Sequence, residues 1–332
     1  MSSSNVWPRF PEAGWEETQA SLHRWSQIVG KVRMALTPPI NHYWHAPLYV
    51  STHGLTTSAI PYKGDLFDIE LGLLSQELTI RTSWRPHCAV PLRAASVAEM
   101  YADIRCALRE LGIAVSISTR PVEIPDPIPF ELDRMPRGYN ALAAETFWRT
   151  LVQVDRVFRT FRGRFLGKAS PVHFFWGGFD LAVTRFSGRR APTWNGVALN
   201  VNPHVMHESY AHEVSSAGFW PGNQTNPPMF YRYAVSEPLG FRNACVPRAA
   251  TYSEQFGEFV LPYEAVRASA DPDATLLAFL QSTYEAAASL GNWDRRLLEE
   301  RPPCACAVAD GRSSTVPNNV MPAQPTRASY GV

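Results

Sequence analysis

Apolar residues recur every three or four positions in four long segments of the chain, which predicts four amphipathic helices. The second segment begins with a capping box formed by Ser96 and Glu99, and the fourth begins at Asp271, an N-cap residue that a proline follows. Between the first two helices, apolar and polar residues alternate, which predicts antiparallel strands with one exposed face. The predicted helices span residues 16–36, 96–112, 141–162 and 271–291.

The segment PVHFFWGGFDLAVTRFSG predicts a β-hairpin with its turn at Gly177-Gly178. In that register Phe175 pairs with Asp180, and side chains alternate between the two faces of the hairpin. His173 and Asp180 are then diagonal neighbours on one face, while large apolar side chains occupy the other. An unpaired carboxylate is costly in a protein core, so we expect His173 and Asp180 to be functional.

The order helix, sheet, helix occurs twice, with a repeat of about 124 residues. Two glycines follow Pro47 at the same offsets as two glycines that follow Pro171. We therefore predict an α+β fold of two internally duplicated helix–antiparallel sheet–helix halves, packed as one pseudo-two-fold body. The predicted parts are residues 1–125 and 126–300, a long inserted loop at 189–228 in the second half, and a disordered, proline-rich tail at 301–332.

Composition and charge argue against several classes of protein. The 31 basic and 30 acidic residues nearly balance, so no overall charge attracts nucleic acid or an anionic membrane. No segment has the apolar character of an export signal or a membrane span. Five cysteines without a regular spacing indicate free thiols. We therefore expect a cytoplasmic protein that binds a small molecule and neither nucleic acid nor membrane; the sequence leaves its oligomeric state open.

Histidine and carboxylate side chains cluster in the segment NHYWH, in the hairpin and in the insertion that follows it. Imidazole and carboxylate groups that converge from three segments are typical of iron, zinc or manganese sites. We therefore predict a divalent metal ion held between the two halves. The predicted metal ligands are His42, His45, His173, Asp180 and His212.

The same region supplies the remaining candidate site residues. The predicted catalytic residues are His173, Asp180 and Glu213. The predicted substrate-binding residues are Tyr49, Trp176, Arg189 and Trp220. This set favours a metal-dependent enzyme, an iron oxidoreductase more than other types, acting on a small polar or anionic molecule. A zinc-dependent hydrolase, a metal-free general base and a non-catalytic binding protein with an aromatic pocket remain alternatives.

Several long segments are similar to those of a bacterial family of unknown function. They include WPRFPEAGW, NHYWH, SPVHFFWGGFDLAVTRFSGRRAP, HEVSSAGFWPG and GEFVLPY. The similarity extends over nearly the whole chain, up to about Arg301. This resemblance implies one shared architecture and one shared function, but it assigns no catalytic residue.

Overall fold

The computed structural model describes residues 6–194, 196 and 198–300 of the chain. The tail predicted at 301–332, with Cys304 and Cys306, lies outside the described residues. Within the described part, the fold is α+β, with seven helices and two antiparallel sheets of six strands each. The predicted α+β class is therefore confirmed.

The four long helices form where the periodicity and the caps predict them, and three short helices that the periodicity does not predict accompany them. They are α1 (Trp15–Leu36), α2 (Val97–Glu110), α3 (Ala141–Gly163), α4 (Pro203–Ser209), α5 (Tyr263–Arg267), α6 (Pro272–Leu290) and α7 (Arg295–Leu298). The predicted capping box begins α2, because the Ser96 hydroxyl and the Glu99 carboxylate each accept a hydrogen bond from the other residue's backbone N–H. Asp271 caps α6 by accepting a hydrogen bond of 3.0 Å from the backbone N–H of Ala274. None of the described helices combines the length and the apolar character needed to cross a membrane.

The first sheet forms from the strands predicted between α1 and α2. Its strands are β1 (Tyr49–Val50), β2 (Leu55–Thr56), β3 (Ile60–Tyr62), β4 (Asp65–Gly72), β5 (Glu77–Thr82) and β6 (Cys88–Pro91). They lie in the order β1-β2-β4-β5-β6, and β3 also pairs with β4. In β4, Phe67, Ile69 and Leu71 are buried, as their alternation with polar residues predicts.

The second sheet carries the hairpin and most of the chain that follows it. Its strands are β7 (His173–Phe175), β8 (Asp180–Arg190), β9 (His212–Trp220), β10 (Met229–Val235), β11 (Thr251–Ser253) and β12 (Glu258–Pro262). They lie in the order β11-β12-β10-β9-β8-β7. Helices α3 and α6 contact the strands of this sheet and each other.

The register of the hairpin agrees with the prediction, but its turn does not. Phe175 pairs with Asp180, and His173 pairs with Ala182. The turn contains four residues instead of two, and the backbone N–H of Phe179 donates a hydrogen bond of 2.8 Å to the carbonyl of Phe175. Phe179 takes the left-handed conformation, with φ of 59°. Both turn lengths leave the same pairs opposite one another, so the faces of the hairpin are unchanged.

The prediction that residues 189–228 form a long inserted loop is wrong for most of that segment. It contains the short helix α4 and the nine-residue strand β9, which pairs with β8 on one side and with β10 on the other. The sequence of β9, HEVSSAGFW, consists largely of small residues, which give no clear alternation of apolar and polar positions. Its strand conformation depends on the two neighbours that pair with it.

A backbone bridge between Leu48 and Phe174 joins the two sheets. The backbones of Leu48 and Phe174 exchange two hydrogen bonds of 2.9 Å, which join the start of β1 to β7. One hydrophobic core extends through both predicted halves, and the chain up to Glu300 forms one compact unit.

Candidate functional site

A cavity of about 890 Å³ lies over one face of the second sheet. Its floor consists of alternate residues of adjacent strands, as the pleat of a sheet requires. From β8 these are Asp180, Ala182, Thr184 and Phe186, and from β9 and β10 they are Val214, Ser216, Trp220, Met229, Tyr231 and Tyr233. Other lining residues come from α1, from NHYWH, from the loop before α3 and from the segment around α4. Both predicted halves therefore contribute to the cavity.

Hydrogen bonds from α1 hold a lining loop in place. The side chain of Gln27 donates a hydrogen bond of 2.8 Å to the carbonyl of Val122 and accepts one of 2.9 Å from its N–H. The buried ammonium of Lys31 donates to the carbonyls of Ser118 and Arg120 at 3.0 and 2.6 Å. Burial lowers the pKa of Lys31 to about 8. This loop carries the carboxyl group of Glu123 to the cavity.

Three carboxyl groups line one end of the cavity, and we name this end, formed by Glu123, Asp180 and Glu258, the acidic end. The hydroxyl of Tyr231 donates a hydrogen bond to Oδ2 of Asp180. Tyr231 lies on β10 and Asp180 on β8, so this bond spans the intervening strand β9. It can form because Gly218 of β9 has no side chain: a β-carbon there would lie 2.2 Å from the hydroxyl oxygen of Tyr231.

The glycines of the hairpin turn admit the carboxyl group of Glu123. A β-carbon on Gly177 would lie 2.2 Å from Oε1 of Glu123. A β-carbon on Gly178 would lie 2.7 Å from Oδ1 of Asp180 and 3.4 Å from Oε2 of Glu123. The two carboxyl groups therefore approach the same point beside the turn, and any larger side chain there would displace one of them.

The three carboxyl groups of the acidic end have higher pKa values than carboxyl groups in water. Burial raises the pKa of Asp180 to about 6, against the opposing effect of the hydrogen bond from Tyr231. Burial and the nearby charge of Asp180 raise the pKa of Glu123 to about 7 and that of Glu258 to about 8. No lysine or arginine of the described chain forms an ion pair with any of the three. The cluster therefore lacks a positive partner of its own.

Hydroxyl groups extend from the acidic end along the floor. The hydroxyls of Tyr210 and Tyr233 share a hydrogen bond of 2.9 Å. Those of Thr184 and Ser216, on adjacent strands, share another of 2.9 Å. Burial raises the pKa of Tyr210, Tyr231 and Tyr233, so all three remain protonated near neutral pH and can donate hydrogen bonds.

His173 does not form a hydrogen bond with Asp180, although the two share a face of the hairpin. Its ring is 1% exposed and packs against the rings of Trp44, Tyr49 and Phe175 at centroid distances of 5.4 to 5.6 Å. Neither ring nitrogen has a hydrogen-bond partner within the described residues. Burial lowers the pKa of His173 to about 3, so the imidazole is neutral. The structure thus provides no carboxylate to orient His173 as a general base.

The other predicted metal ligands have partners that oppose metal binding. Nε2 of His42 accepts a hydrogen bond of 2.9 Å from the ammonium of Lys168. Nδ1 of His45 lies 3.1 Å from the backbone N–H of Ile40. The ring of His212 lies 5.4 Å from that of His42, on the Lys168 side of the cavity. The part of the chain that the structure describes contains no group of three or more histidine, cysteine or carboxylate side chains that could hold a metal ion. The predicted ligands therefore do not converge.

Glu213 and Arg189 bind each other away from the cavity. The guanidinium of Arg189 lies 2.7 Å from a carboxylate oxygen of Glu213 and also donates to the carbonyls of Gly291 and Asn292 just after α6. Glu213 alternates along β9 with the cavity-lining Val214, so its side chain lies on the opposite face of the sheet. The structure does not bring these two residues to Asp180.

The three predicted aromatic residues have different positions. Trp176 lines the cavity and donates a hydrogen bond of 2.8 Å from its indole N–H to the carbonyl of Ala46. Trp220 lines the cavity at the end of β9 and contacts Phe256 at 6.3 Å between ring centroids. Tyr49 instead packs between His173 and the guanidinium of Arg33, which lies 5.0 Å from its ring.

Sequence reasoning missed most of the acidic end. In β10, MFYRYAV, the alternation of Tyr231 and Tyr233 with Arg232 is a signal for two tyrosines on one face. Glu258 stands at the start of an apolar strand and carries a weaker signal. Glu123 lies in a proline-rich loop with no periodicity, and nothing in the sequence connects it to Asp180.

Together these features define an α+β protein with a large cavity that is acidic at one end and lined with aromatic and hydroxyl groups. The model of a family of unknown function, DUF5996, matches residues 7–300, so the chain belongs to that family. The resemblance noted in the sequence is therefore confirmed. No curated protein and no solved structure matches the chain.

Proposed function

We propose that this protein binds a small organic cation, an amine or a related nitrogen base, at the acidic end of its cavity. The observation that carries the proposal is the set of three carboxyl groups, Glu123, Asp180 and Glu258, with no positive partner in the described chain. Burying a carboxylate without a partner is unfavourable, and a bound cation would remove that penalty. The ligand would supply the missing charge.

The first sheet contains a carboxylate with the opposite arrangement. Glu70 is 6% exposed, yet it accepts hydrogen bonds of 2.5 Å from Ser51 and from Arg81. Burial acts to raise its pKa, but these two hydrogen bonds and the charge of Arg81 outweigh burial and lower it. The same chain thus pairs a buried carboxylate with arginine in one sheet and leaves Asp180 without one in the other, which supports a role for Asp180 in binding.

Aromatic rings near the acidic end suit the same ligand. Trp176, Trp220 and Phe256 all line the cavity. The face of an aromatic ring attracts a cation, and the attraction is strongest where water is excluded. Carboxylates and ring faces together recognise ammonium groups better than they recognise anions. This supports the binding-protein alternative with an aromatic pocket over the expectation of an anionic ligand.

A metal-dependent oxidoreductase or hydrolase receives less support. Its predicted ligands lie apart, and two of them, His42 and His45, direct a ring nitrogen at Lys168 and at the backbone of Ile40. Metal ligation needs nitrogen atoms about 2.0–2.1 Å from one point for zinc. The acidic end needs no metal ion to explain its composition.

Calorimetric titration tests the proposal with primary and quaternary amines and with alcohols of the same size and shape. We expect the amines to bind and the alcohols to bind much more weakly. Asp180→Asn should weaken amine binding by roughly tenfold to a hundredfold, since a hydrogen bond to a charged group contributes about 1.5–3 kcal/mol. Glu213→Gln is the matched control because Glu213 is paired on the opposite face, and it should bind like the wild type. Equal binding of amines and alcohols would contradict the proposal.

General acid–base catalysis on the bound molecule is a second candidate function. The observation that favours it is the pair of carboxyl groups beside the hairpin turn, with a pKa of about 6 for Asp180 and about 7 for Glu123. Groups with pKa values near the working pH transfer protons efficiently, and neighbours with unlike values divide the roles of acid and base. Mass spectrometry of a ligand recovered after long incubation separates the candidates: a changed compound supports catalysis, and an unchanged one supports binding alone.

We further propose that the two halves are an internal duplication related by approximate two-fold symmetry. The two sheets have the same strand order if β2 and β3 together correspond to β8. The strand β11 is then an extra strand of the second sheet. Tyr49 and His173 correspond under the repeat, and their rings contact each other at 5.6 Å, as expected beside a two-fold axis. Superposing the two halves with Pro47 on Pro171 tests this, and sheets that cannot be overlaid would contradict it.

The cytoplasmic location expected from the sequence also stays a proposal. Cys88, Cys106 and Cys245 are free thiols in the described chain, which supports a reducing compartment. Fractionation of cells that express the protein tests it, and recovery outside the cytoplasm would contradict it.

A further inference from the structure

Lys168 lies beside the cavity at the Phe186 end of its floor, away from Asp180, and we name this the basic end. The ammonium of Lys168 lies 4.9 Å from the ring of Phe186 and 5.1 Å from that of Trp44, and both rings line the cavity. It also donates a hydrogen bond of 2.9 Å to Nε2 of His42, another lining residue. His212 adds a second imidazole, whose Nδ1 is buried and has no partner among the described groups.

Lys168 is held in this position, and some of its ammonium N–H donors have no protein acceptor among the described residues. Its backbone carbonyl accepts a hydrogen bond of 3.0 Å from the N–H of Phe186, which fixes the residue beside the end of the cavity floor. The ammonium has three N–H donors, and His42 uses one of them. No carboxylate in the described residues forms an ion pair with it, and burial is the cause that lowers its pKa. Two donors therefore remain for an anionic group.

The floor of the cavity connects the two ends. Asp180, Ala182, Thr184 and Phe186 are alternate residues of β8, and all four line the cavity. A strand rises about 3.3 Å per residue, so this row extends over roughly 20 Å between its first and last Cα atoms. Hydroxyl groups of Thr184 and Ser216 lie between the charged ends. Carboxyl groups therefore lie at one end of this row and the ammonium of Lys168 lies beside the other, with neutral hydroxyl groups between them. The other ammonium at the cavity, that of Lys31, is bound to the carbonyls of Ser118 and Arg120.

Resting on the proposed function, we infer that the ligand is an elongated dipolar molecule: its cationic nitrogen lies at the acidic end, and a carboxylate or phosphate lies beside Lys168. Opposite charges at the two ends fix the direction in which such a molecule lies. A simple amine would use only one end, and a diamine would place a positive charge beside Lys168.

Titration calorimetry with three matched series tests this inference. The series are alkylamines, ω-amino carboxylates and α,ω-diamines of increasing chain length. We expect the best ω-amino carboxylate to bind at least tenfold more tightly than the alkylamine of equal length, and the diamine to bind more weakly than the amino carboxylate. Aminoalkyl phosphates of the same lengths show whether the basic end prefers a phosphate or a carboxylate.

Variants of Lys168 assign the effect to the basic end. Lys168→Met should remove the advantage of the amino carboxylate while leaving the alkylamine bound, and Lys168→Arg should retain it. Lys63→Met is the matched control, because Lys63 also lies over an aromatic ring, 5.1 Å from that of Tyr62, but this ring does not line the cavity as Trp44 and Phe186 do. It should keep the wild-type ratio.

The outcomes separate the two proposals. If alkylamines bind and amino carboxylates bind no more tightly, the dipolar ligand is refuted and the proposed function stands. An advantage that persists in Lys168→Met also refutes the assignment to Lys168. If no amine of any series binds, the proposed function itself fails, and this inference fails with it.

Discussion

Replacing Asp180 by asparagine should make the protein more stable at pH 8, although it removes a hydrogen-bonded group from the site. Asparagine keeps the volume of the side chain and can still accept the hydrogen bond from Tyr231. What the substitution removes is a partly buried negative charge without a positive partner. A stabilising substitution in the middle of a candidate site is the pattern expected where function opposes stability.

The size of the effect follows from the pKa of Asp180, which rises from 3.8 to about 6 on folding. Each tenfold change in proton affinity corresponds to 1.36 kcal/mol, so the ionised group destabilises the folded state by up to about 3 kcal/mol at pH 8. Because the folded pKa is the higher one, the penalty is complete above about pH 6 and decreases as the pH falls toward 3.8. At pH 5 we expect roughly half of the full difference.

Urea denaturation of the wild type and Asp180→Asn between pH 5 and pH 8 measures this difference. Glu70→Gln is the matched control because its carboxylate is also buried but has Arg81 as a partner and a lowered pKa. That variant should be less stable than the wild type by nearly the same amount throughout this range, because the stabilisation from a lowered pKa is lost only below about pH 4.5. A gain from Asp180→Asn that does not vary with pH, or a loss at pH 8, would refute the electrostatic reasoning.

Two further substitutions test the construction of the acidic end. Gly177→Ala should displace the carboxyl group of Glu123, whose Oε1 would lie 2.2 Å from the new β-carbon, and should therefore weaken amine binding at least several-fold in titration calorimetry. Gly163→Ala is the control, because a β-carbon there meets nothing within 4 Å. Equal binding by the two variants would contradict the described packing of Glu123 against Gly177. Tyr231→Phe removes a hydrogen bond that lowers the pKa of Asp180, so the pKa of Asp180 should rise. The acid limb of the pH profile of amine binding should then move to higher pH. An unchanged profile would contradict a role of Tyr231 in setting the pKa of Asp180.

Local features of the sequence predicted the helices and the hairpin register. The capping box at Ser96 and Glu99 and the cap at Asp271 act within one turn of helix, so the chain near them determines where those helices begin. The position of Asp180 opposite Phe175 needs only a turn of even length and the alternation of a strand. These interactions join residues that are close in sequence, which is why pattern alone identified them.

The order of the strands and the role of the insertion depended on pairing between distant segments. The strand β9 lies between β8 and β10 because its backbone groups find partners there, while its small side chains give little sequence signal. The same packing separated the predicted metal ligands. Each of His42, His45 and His173 contacts groups that the sequence does not place beside it.

The residues of the candidate site also divide into those that the sequence predicted and those that depended on the tertiary structure. The sequence by itself determined that Asp180 would be a carboxyl group on a polar face of a hairpin. Only the tertiary structure decided that Glu123 and Glu258 would line the same cavity and that no arginine of residues 6–300, as far as they are described, would pair with them. A pKa depends on burial and on every charge within a few ångströms, and these are properties of the folded chain instead of any one segment.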